Sequence, residues 1–373
     1  MKPTVLAISP YMQTERGHFY TYHKAVNDAA NLLGWPYKLA VPKTNSIQAW
    51  PPHWKKCLDD PNPSNAFSPH FLALLWAKYR YRRSVSGFLK AESNPNGNNI
   101  LFLEYVSLRQ FRPIVRSLLG YPAKNLTLWM LFRYVPAKLP GSAKGFKRCL
   151  QALSWILGKD RIRILVDTEL LVPHWEKYLG MPVTVMPIPH TGETLPEVTA
   201  RPEKRFVCWC RGLPKPNIGV YVVNRLLDCS HAANSLKLLF SEKAIEGLPV
   251  SNTPFEIVPE ILPTASYLQC MAESDFIVIP YAPEAYNSNS SGIFVEAVTY
   301  GKIPLVSEGT WTAEEVKRFD LHDLVIDWQR PDLAEHIVRI GEDAEIRAKL
   351  LKMQSAYHQY HTVPSFAEAM SRL

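Results

Sequence analysis

The stretch from Asp275 to Ser307 constrains the fold more than any other part of this chain. It begins with DFIVIP, a short apolar run rich in β-branched residues, which predicts a buried strand. After a polar loop, the apolar residues between Ile293 and Tyr300 share one helical face. Gly301 is placed to end that helix, and IPLVS predicts a second strand. Strand, loop, helix and strand in this order predict an α/β protein with a doubly wound sheet.

The start of the predicted helix is the first candidate site. Ligands of doubly wound sheets bind at the carboxyl ends of strands, against helix N-termini. Ser290, Ser291 and Gly292 would place N–H groups and hydroxyls there, which suits a phosphate. The same residues could instead form an ordinary helix N-cap. Glu296, about one turn further on, would either accept hydrogen bonds from a sugar hydroxyl or complement the helix dipole.

The order of these residues resembles the donor-binding segment of GT-B glycosyltransferases, in particular the family-4 type, which takes activated nucleotide sugars. The shared pattern is an Asp, four apolar residues, Pro, a polar loop, Ser-Ser-Gly, Glu-Ala, Gly and a final x-Pro-apolar-apolar-Ser. In that family the Glu of the Glu-Ala pair binds the donor ribose, which implies this role for Glu296. The family's other Glu stands eight positions earlier, where this chain has Ser288. Glu284 stands where the family Glu stands relative to the strand, so either residue could replace it.

The same resemblance implies two further parts of a donor site. Family members carry an Arg and a Lys, five positions apart, that neutralise the donor diphosphate; here Arg211 and Lys215 are four apart, after the predicted strand RFVCWC. Such cations stabilise the charge that grows on a nucleoside diphosphate leaving group. A solvated loop is the alternative for this pair. The resemblance also places the nucleotide base near Glu260 and Ile261, where the backbone would recognise it.

Four candidate residues lie in the N-terminal half of the chain. Gly17 and His18 stand between the first predicted strand and a predicted helix. Their position resembles the Gly-containing first loop of GT-B enzymes, which approaches the donor phosphate or the acceptor. In some inverting members a His in this loop is the catalytic base, whereas a lone His can also be a simple helix-entry residue. Arg133 ends a predicted strand, which places it on the acceptor side of the cleft. By family likeness His190 lines the cleft as well.

Apolar runs predict six strands in the first half, at residues 5–10, 37–42, 98–105, 125–134, 161–167 and 182–190. Residues 43–67 show no clear period and predict a long loop. The helical pattern that follows the third of these strands contains Pro113, which predicts an interruption.

Positive charge is concentrated in the first 200 residues, which hold 25 Lys and Arg against 12 Asp and Glu. The rest of the chain holds 17 against 22. This asymmetry predicts an anionic partner for the N-terminal half, such as a membrane surface, an anionic glycan or nucleic acid. Nucleic acid is disfavoured, because the basic residues are interleaved with apolar helix faces and no nucleic-acid motif appears.

The predicted helix at residues 70–92 combines an apolar stripe with several cations. The stripe consists of Phe71, Leu72, Leu75, Trp76 and Tyr79. A basic amphipathic helix of this kind either packs on a core with its basic face in water or lies on an anionic membrane.

The length of 373 residues predicts two domains, joined by a Pro-, Glu- and Arg-rich linker. We expect an N-terminal Rossmann-like domain at residues 1–195 and a donor domain at 196–345. A helical segment at 346–373 is expected to pack back on the N-terminal domain. No apolar run reaches the about 18 residues that a membrane-spanning helix needs. The expected location is cytoplasmic, either free or peripheral at the cytoplasmic face of a membrane.

These features and the resemblance imply a GT-B glycosyltransferase whose two Rossmann-like domains face each other across a cleft. It would move a sugar from a nucleotide sugar, such as a UDP- or GDP-sugar, to a glycan, lipid-linked or other acceptor, as in polysaccharide biosynthesis. No cofactor beyond this co-substrate and no metal is expected, since no clear D-x-D pair appears. The resemblance implies retention, and His18 as a general base keeps inversion open. The alternative class is a non-catalytic GT-B-like module that binds glycan or lipid.

Overall fold

The computed structural model describes residues 2–14, 18–47, 51–60, 71–121, 125–139, 142–189, 193–198, 205–210, 218–228, 235–244, 255–260 and 262–373. The chain divides into two compact units, residues 1–190 with 363–373 and residues 191–362. We call them the first unit and the second unit. Residues 346–362 thus belong to the second unit, and only residues 363–373 of the predicted C-terminal segment belong to the first.

Each unit contains one parallel sheet with helices packed against it. The strands are β1 Thr4–Ile8, β2 Tyr37–Pro42, β3 Trp54–Leu58, β4 Asn99–Glu104, β5 Leu126–Phe132, β6 Ile162–Val166, β7 Val183–Val185, β8 Phe206–Cys210, β9 Leu236–Ser241, β10 Phe255–Val258, β11 Phe276–Ile279 and β12 Ile303–Val306. The helices are α1 His18–Leu33, α2 Phe71–Glu92, α3 Leu108–Leu118, α4 Ala143–Leu157, α5 Val172–Leu179, α6 Ile218–Leu227, α7 Thr264–Glu273, α8 Pro283–Tyr286, α9 Gly292–Thr299, α10 Trp311–Arg318, α11 Leu333–Glu342, α12 Ala344–Tyr360 and α13 Val363–Ser371. The predicted α/β class with two Rossmann-like domains is confirmed. Their facing across a cleft stays a prediction.

The first unit has a seven-stranded sheet in the order β3-β2-β1-β4-β5-β6-β7. Helices α1 and α13 cover one face of the sheet, where the rings of Tyr22 and Phe366 meet edge to face at 6.0 Å between centroids. Helices α2 to α5 cover the other face through buried residues such as Tyr81, Phe111 and Phe146. Both faces of the central strands are therefore buried, which explains why their sequences are continuous apolar runs.

Two local predictions for the first unit are wrong. The segment predicted as a long loop contains the edge strand β3, which pairs with β2 and buries Trp54 and Leu58. Lys55 and Lys56 lie between these two buried residues, and their charges interrupt the apolar pattern in the sequence. Helix α3 runs through Pro113 without ending. Its first turn is anchored where Gln110 Oε1 accepts from the Ser107 backbone N–H at 2.7 Å, and its apolar face is buried, which offsets the hydrogen bond lost at proline.

The second unit has a five-stranded sheet in the order β10-β9-β8-β11-β12. Asp275 joins three of these strands, because its carboxylate accepts from the Val207 N–H at 2.7 Å while its backbone bonds to Val207 and Ile303. Helix α9 ends before Gly301, which adopts a φ of 68°, a left-handed conformation that favours glycine. The strand–loop–helix–strand order predicted for Asp275 to Ser307 is confirmed. No described helix is both long and apolar enough to cross a membrane.

Candidate active site of the second unit and buried network of the first

A cavity with a volume of about 190 Å³ opens at the carboxyl edge of the second sheet. Its lining residues are Trp209, Ser241, Val258, Pro259, Glu260, Leu262, Tyr281 and Ile293. These residues belong to β8, β9 and the end of β10, to the segments that follow β10 and β11, and to the start of α9. The strand order reverses between β8 and β11, and ligands of doubly wound sheets bind outside the strand ends at such a reversal.

Two buried polar atoms of this cavity lack a hydrogen-bond partner among the described residues. They are the Ser241 hydroxyl, on a side chain that is 3% exposed, and Oε2 of Glu260. Buried polar atoms in native proteins are nearly always hydrogen-bonded, because leaving them unpaired costs free energy. Two such atoms on the wall of one cavity indicate a place where a polar ligand would bind. Glu260 was predicted to lie at the base site, and Ser241 was not predicted.

The N-terminus of α9 borders the same cavity through Ile293. Ser291 is the N-cap: its hydroxyl accepts from the Phe294 N–H at 3.3 Å and lies 3.2 Å from the Tyr281 hydroxyl. The ordinary capping interpretation therefore holds for Ser291, which is buried, while Ser290 is half-buried and Gly292 is the first helical residue. The first N–H groups of a helix have no intrahelical partner and carry the positive end of its dipole. An anion is the ligand that this end favours.

Glu296 lies between two tyrosines in the second turn of α9. Its Oε2 accepts a hydrogen bond from the hydroxyl of Tyr267 on α7. On the other side, burial and then Glu296 and Glu193 raise the pKa of Tyr300, whose hydroxyl donates to the Glu193 carbonyl at 2.9 Å. A carboxylate has about four acceptor positions, so Glu296 can still accept from a sugar hydroxyl.

The two candidates for the missing family Glu differ in exposure. Glu284 is exposed on the short helix α8, whereas Ser288 is 4% exposed and its hydroxyl donates to Asn287 Oδ1 at 3.3 Å. Tyr286, at the end of α8, stacks on Tyr281 with ring centroids 3.8 Å apart, so the α8 turn is fixed beside the cavity. Of the two residues, only Glu284 carries a charged group, and that group lies at the surface.

Several predicted residues lie outside the described part of the chain. They are Gly17, His190, Arg211, Lys215 and Ile261. The backbone of His18 begins α1, and its side chain belongs to this undescribed group as well. The roles inferred for these six residues stay predictions.

Arg133 lies in a buried ion network of the first unit rather than alone on a surface. Its guanidinium is 2.8 Å from Glu104 Oε1 and 3.1 Å from Asp167 Oδ2, and only 14% of its side chain is exposed. Burial on its own would lower the pKa of Arg133, but Glu104 and Asp167 more than offset this, so the pKa stands above its ordinary value. Since these three residues end or follow β4, β5 and β6, the network fixes three neighbouring strand ends.

His23 extends this network into α1. Its Nε2 is 3.2 Å from Glu104 Oε2, and its Nδ1 is 2.6 Å from the Tyr37 hydroxyl. Sequence reasoning missed His23, Glu104 and Asp167. A usable signal was present, because Glu104 ends the apolar run NILFLE and Asp167 follows IRILV. Charged residues at the ends of buried strands must be solvated or paired.

The stripe predicted on α2 is exposed. Leu72 is 75% exposed, Trp76 59% and Tyr79 45%, and the rings of Trp76 and Tyr79 stack at 5.4 Å. The helix packs on the core through a different face. That face consists of Ala77, Tyr81, Val85, Phe88 and Leu89. The helix is therefore packed on the core, as one of the two alternatives predicted, but the described side chains of the predicted stripe are not the face that packs.

Comparison with known proteins finds no matching family model and no matching curated protein. Solved structures do match. A glycosyltransferase from Rickettsia africae has a TM-score of 0.63 at 11% identity, covering 100% of this chain and 97% of that one. The S. aureus MnaA–UDP co-structure has a TM-score of 0.59 at 11% identity, with 100% and 95% covered. A trehalose-6-phosphate synthase studied for glycosyl transfer with retention has a TM-score of 0.60 at 10% identity, with 99% and 98% covered.

At such identities the likeness shows the fold alone. The chain has the architecture of GT-B glycosyltransferases and of related sugar-processing enzymes. The predicted GT-B fold is therefore confirmed, while membership of family 4 stays a prediction.

Proposed function

We propose that this chain is a glycosyltransferase that binds a nucleotide sugar at the cavity of the second unit. The observation that carries the proposal is the combination of the Ser241 and Glu260 polar atoms with the N-terminus of α9 at one strand-order reversal. The similar structures support it, since one is described as a glycosyltransferase and another as a complex with UDP. The co-substrate would be a nucleotide sugar such as a UDP- or GDP-sugar.

In the proposed complex each part of the donor meets a matching group. The base lies beside Glu260, the ribose hydroxyls donate to Glu296, and the diphosphate lies at Ser290 and the N-terminus of α9. Arg211 and Lys215 would add positive charge from the loop after β8. As the sugar leaves, charge grows on the diphosphate, and fixed cations and N–H groups stabilise it more in the transition state than in the bound donor.

A nucleotide panel tests the donor site. UDP, GDP, ADP and CMP are added in thermal unfolding and calorimetry, where a nucleotide at about a hundred times its Kd should stabilise the protein by roughly 2.7 kcal/mol. Glu296→Gln should weaken nucleotide binding, because it removes the charged acceptor. Arg211→Ala should cost about 1.5–3 kcal/mol, more of it in turnover than in affinity. Glu314→Gln, on the exposed face of α10, is the matched control.

Folded Glu296→Gln and Arg211→Ala variants that bind nucleotide and turn over like wild type would place the donor site elsewhere. Failure of every nucleotide to bind would reject the proposal itself.

Retention is the proposed stereochemical course, and inversion with His18 as general base is the competing one. The anomeric configuration of the product, read by NMR during transfer or donor hydrolysis, separates the two. His18→Gln should abolish an inverting reaction and leave the donor affinity unchanged. Nucleotide-sugar binding without transfer or hydrolysis would favour the non-catalytic module instead.

One surface supports a peripheral membrane location in addition. Helices α2, α3 and α4 pack side by side on one face of the first sheet, and their sequences contain eleven Lys or Arg and one acid, Glu92. Large apolar residues are exposed on or beside these helices, with Leu72, Leu119 and Trp155 exposed by 75%, 60% and 84%. Cations near an anionic bilayer contribute about 1 kcal/mol each, and exposed Trp and Leu insert at the interface.

Vesicle sedimentation tests this location. Binding should be stronger to vesicles with 30% anionic lipid (roughly a leaflet-like charge density) than to neutral ones, and should fall with salt. The double variant Leu72→Ser, Trp76→Ser should weaken it, while Leu351→Ser, an exposed leucine of the second unit, should not. Equal binding to neutral and anionic vesicles would contradict the proposal.

A further inference from the structure

Four aromatic rings form a cluster at the carboxyl edge of the first sheet. Tyr105 is at its centre, with ring centroids 5.3 Å from Tyr11, 5.7 Å from Tyr134 and 6.2 Å from Phe19. Tyr11 and Phe19 in turn are 6.1 Å apart. All four side chains are half-buried, so each has one part in protein contacts and another at the surface. We call these four residues the aromatic cluster.

The aromatic cluster lies at the strand-order reversal of the first unit. Tyr11 follows β1, Tyr105 follows β4 directly, and Tyr134 follows β5, while Phe19 is in the first turn of α1. The sheet reverses between β1 and β4. This is the position at which doubly wound sheets bind ligands.

Tyr105 adopts a backbone conformation that is rare for its type. Its φ is 47°, in the left-handed region that bulky residues avoid. Such conformations cluster at binding and catalytic sites, where the surrounding structure holds them in place. The holding structure is visible here, because Glu104 and Arg133, which immediately precede Tyr105 and Tyr134, are joined by the buried ion pair. The network thus positions two rings of the cluster.

Three of the four rings carry a hydroxyl, those of Tyr11, Tyr105 and Tyr134. Burial raises the pKa of Tyr105, and the neighbouring Tyr134 and Tyr11 raise it further. The cluster therefore combines apolar ring faces with several hydroxyls that both donate and accept. A hydrocarbon ligand would need only the ring faces of the cluster, and a phosphate ligand would need cations at the centre of the cluster.

We propose that the aromatic cluster is a binding site for a pyranose ring of the acceptor. A pyranose presents a face of C–H groups, which packs on an aromatic ring, and a rim of hydroxyls, which pairs with tyrosine hydroxyls. The assignment to the acceptor rests on the proposed glycosyl transfer, whereas binding of the sugar ring does not. The proposal identifies the acceptor as a glycan or a sugar-bearing lipid that is recognised through its sugar.

Saturation-transfer NMR with methyl glycosides tests the site on the full chain. The probes are methyl β-glucopyranoside, methyl β-galactopyranoside and methyl α-mannopyranoside, each titrated in the millimolar range. We expect at least one to bind, with the strongest transfer to the ring C–H protons of one face. Tyr105→Ala should weaken that binding at least fivefold, and Tyr105→Phe, which keeps the ring, should weaken it less. Tyr360→Ala, a tyrosine of the second unit that is 41% exposed, should have no effect.

A second variant and a measurement of nucleotide binding serve as controls for misfolding of Tyr105→Ala. Tyr11→Leu changes the cluster without replacing the strained residue Tyr105, and it should also weaken glycoside binding. Glycoside binding that survives both Tyr105→Ala and Tyr11→Leu would overturn the proposal. So would binding of octanol or 4-nitrophenol in preference to every methyl glycoside.

The outcome separates this proposal from the proposed function. Nucleotide binding without glycoside binding would reject the aromatic cluster as a sugar site and leave the donor site standing. Glycoside binding without any nucleotide binding would reject the glycosyltransferase and retain a sugar-binding site in the first unit.

Discussion

The two units share one topology and differ in what they place at its functional point. In each, the strand order reverses beside the unit's first strand, β1 or β8. In the first unit the residues at the strand ends form a buried ion network, and aromatic residues next to them in the chain form a cluster. In the second unit Ser241 and Glu260 keep polar atoms without partners among the described residues, around a cavity of about 190 Å³.

This difference gives a physical reason for proposing a different kind of ligand for each unit. Charges that pair with each other stabilise loop positions and leave aromatic rings to contact an uncharged ligand. Polar atoms without a partner in the protein can still hydrogen-bond to a ligand, but they lower the stability of the free protein. This contrast is consistent with the two ligands that we propose, a neutral sugar for the first unit and a nucleotide for the second.

The largest expected effect comes from opening the ion network. Arg133→Met leaves Glu104 and Asp167 buried without their cation, which should lower the free energy of unfolding of the first unit by about 3–5 kcal/mol. Urea unfolding followed by hydrogen exchange in β4 and β5 measures it. The control is Lys237→Met, which removes a surface ion pair with Glu256 in the second unit and should cost at most about 1 kcal/mol. Equal losses would mean that the network is not a special feature of the first unit.

Acid should weaken the second unit through His361. This side chain is 5% exposed against Tyr357, and burial lowers its pKa from 6.5 to about 4. Between these pH values the unfolded chain binds more protons than the folded one, so stability is complete above about pH 6.5 and is lost as pH falls to about 4. The loss should be roughly 3 kcal/mol.

Unfolding of the second unit at pH 7 and pH 4.5 measures this loss. His361→Gln should flatten the pH dependence, although it lowers stability at pH 7. An unchanged slope in this variant would assign the acid sensitivity to other groups.

Backbone strain at Tyr105 predicts an unusual order of stability. Because φ is positive, Tyr105→Gly should be more stable than Tyr105→Ala by about 1 kcal/mol, the reverse of the usual preference for alanine. Urea midpoints of the first unit give the comparison. An alanine variant as stable as the glycine variant would show that the backbone relaxes once the ring is gone.

The smallest change in stability is expected at Ser241. Ser241→Ala removes a buried hydroxyl without a described partner, so unfolding should change by less than about 0.5 kcal/mol or become slightly harder. Nucleotide affinity should fall about fivefold, the value of one hydrogen bond of about 1 kcal/mol. Ser154→Ala on α4, whose hydroxyl donates to the Leu150 carbonyl, is the control and should leave affinity unchanged. An unaltered affinity in Ser241→Ala would remove Ser241 from the donor site.

Most of the fold could be predicted because its signals are local. Each of the six strands predicted in the first half corresponds to an observed strand, although the last shortens to Val183–Val185. The edge strand β3 was missed because the charged residues Lys55 and Lys56 separate its apolar ends, Trp54 and Leu58. Of the candidate site, Glu260 was placed through resemblance and lines the cavity, whereas Ser241 looked like an ordinary strand end. Arg133 was noticed, but its partners lie 29 and 34 residues away along the chain and could not be assigned.

The sequence by itself determined the α/β class, the parallel strands, the helix that Gly301 ends and the likeness to GT-B enzymes. These depend on apolar period, helix caps and glycine conformation, which act within a few residues. Only the tertiary structure decided that Arg133 is paired, that the stripe on α2 is exposed, and that Tyr11, Phe19, Tyr105 and Tyr134 meet. Parallel strands bring residues from distant segments to one sheet edge, and whether a charge there is paired or open depends on neighbours that no local pattern contains.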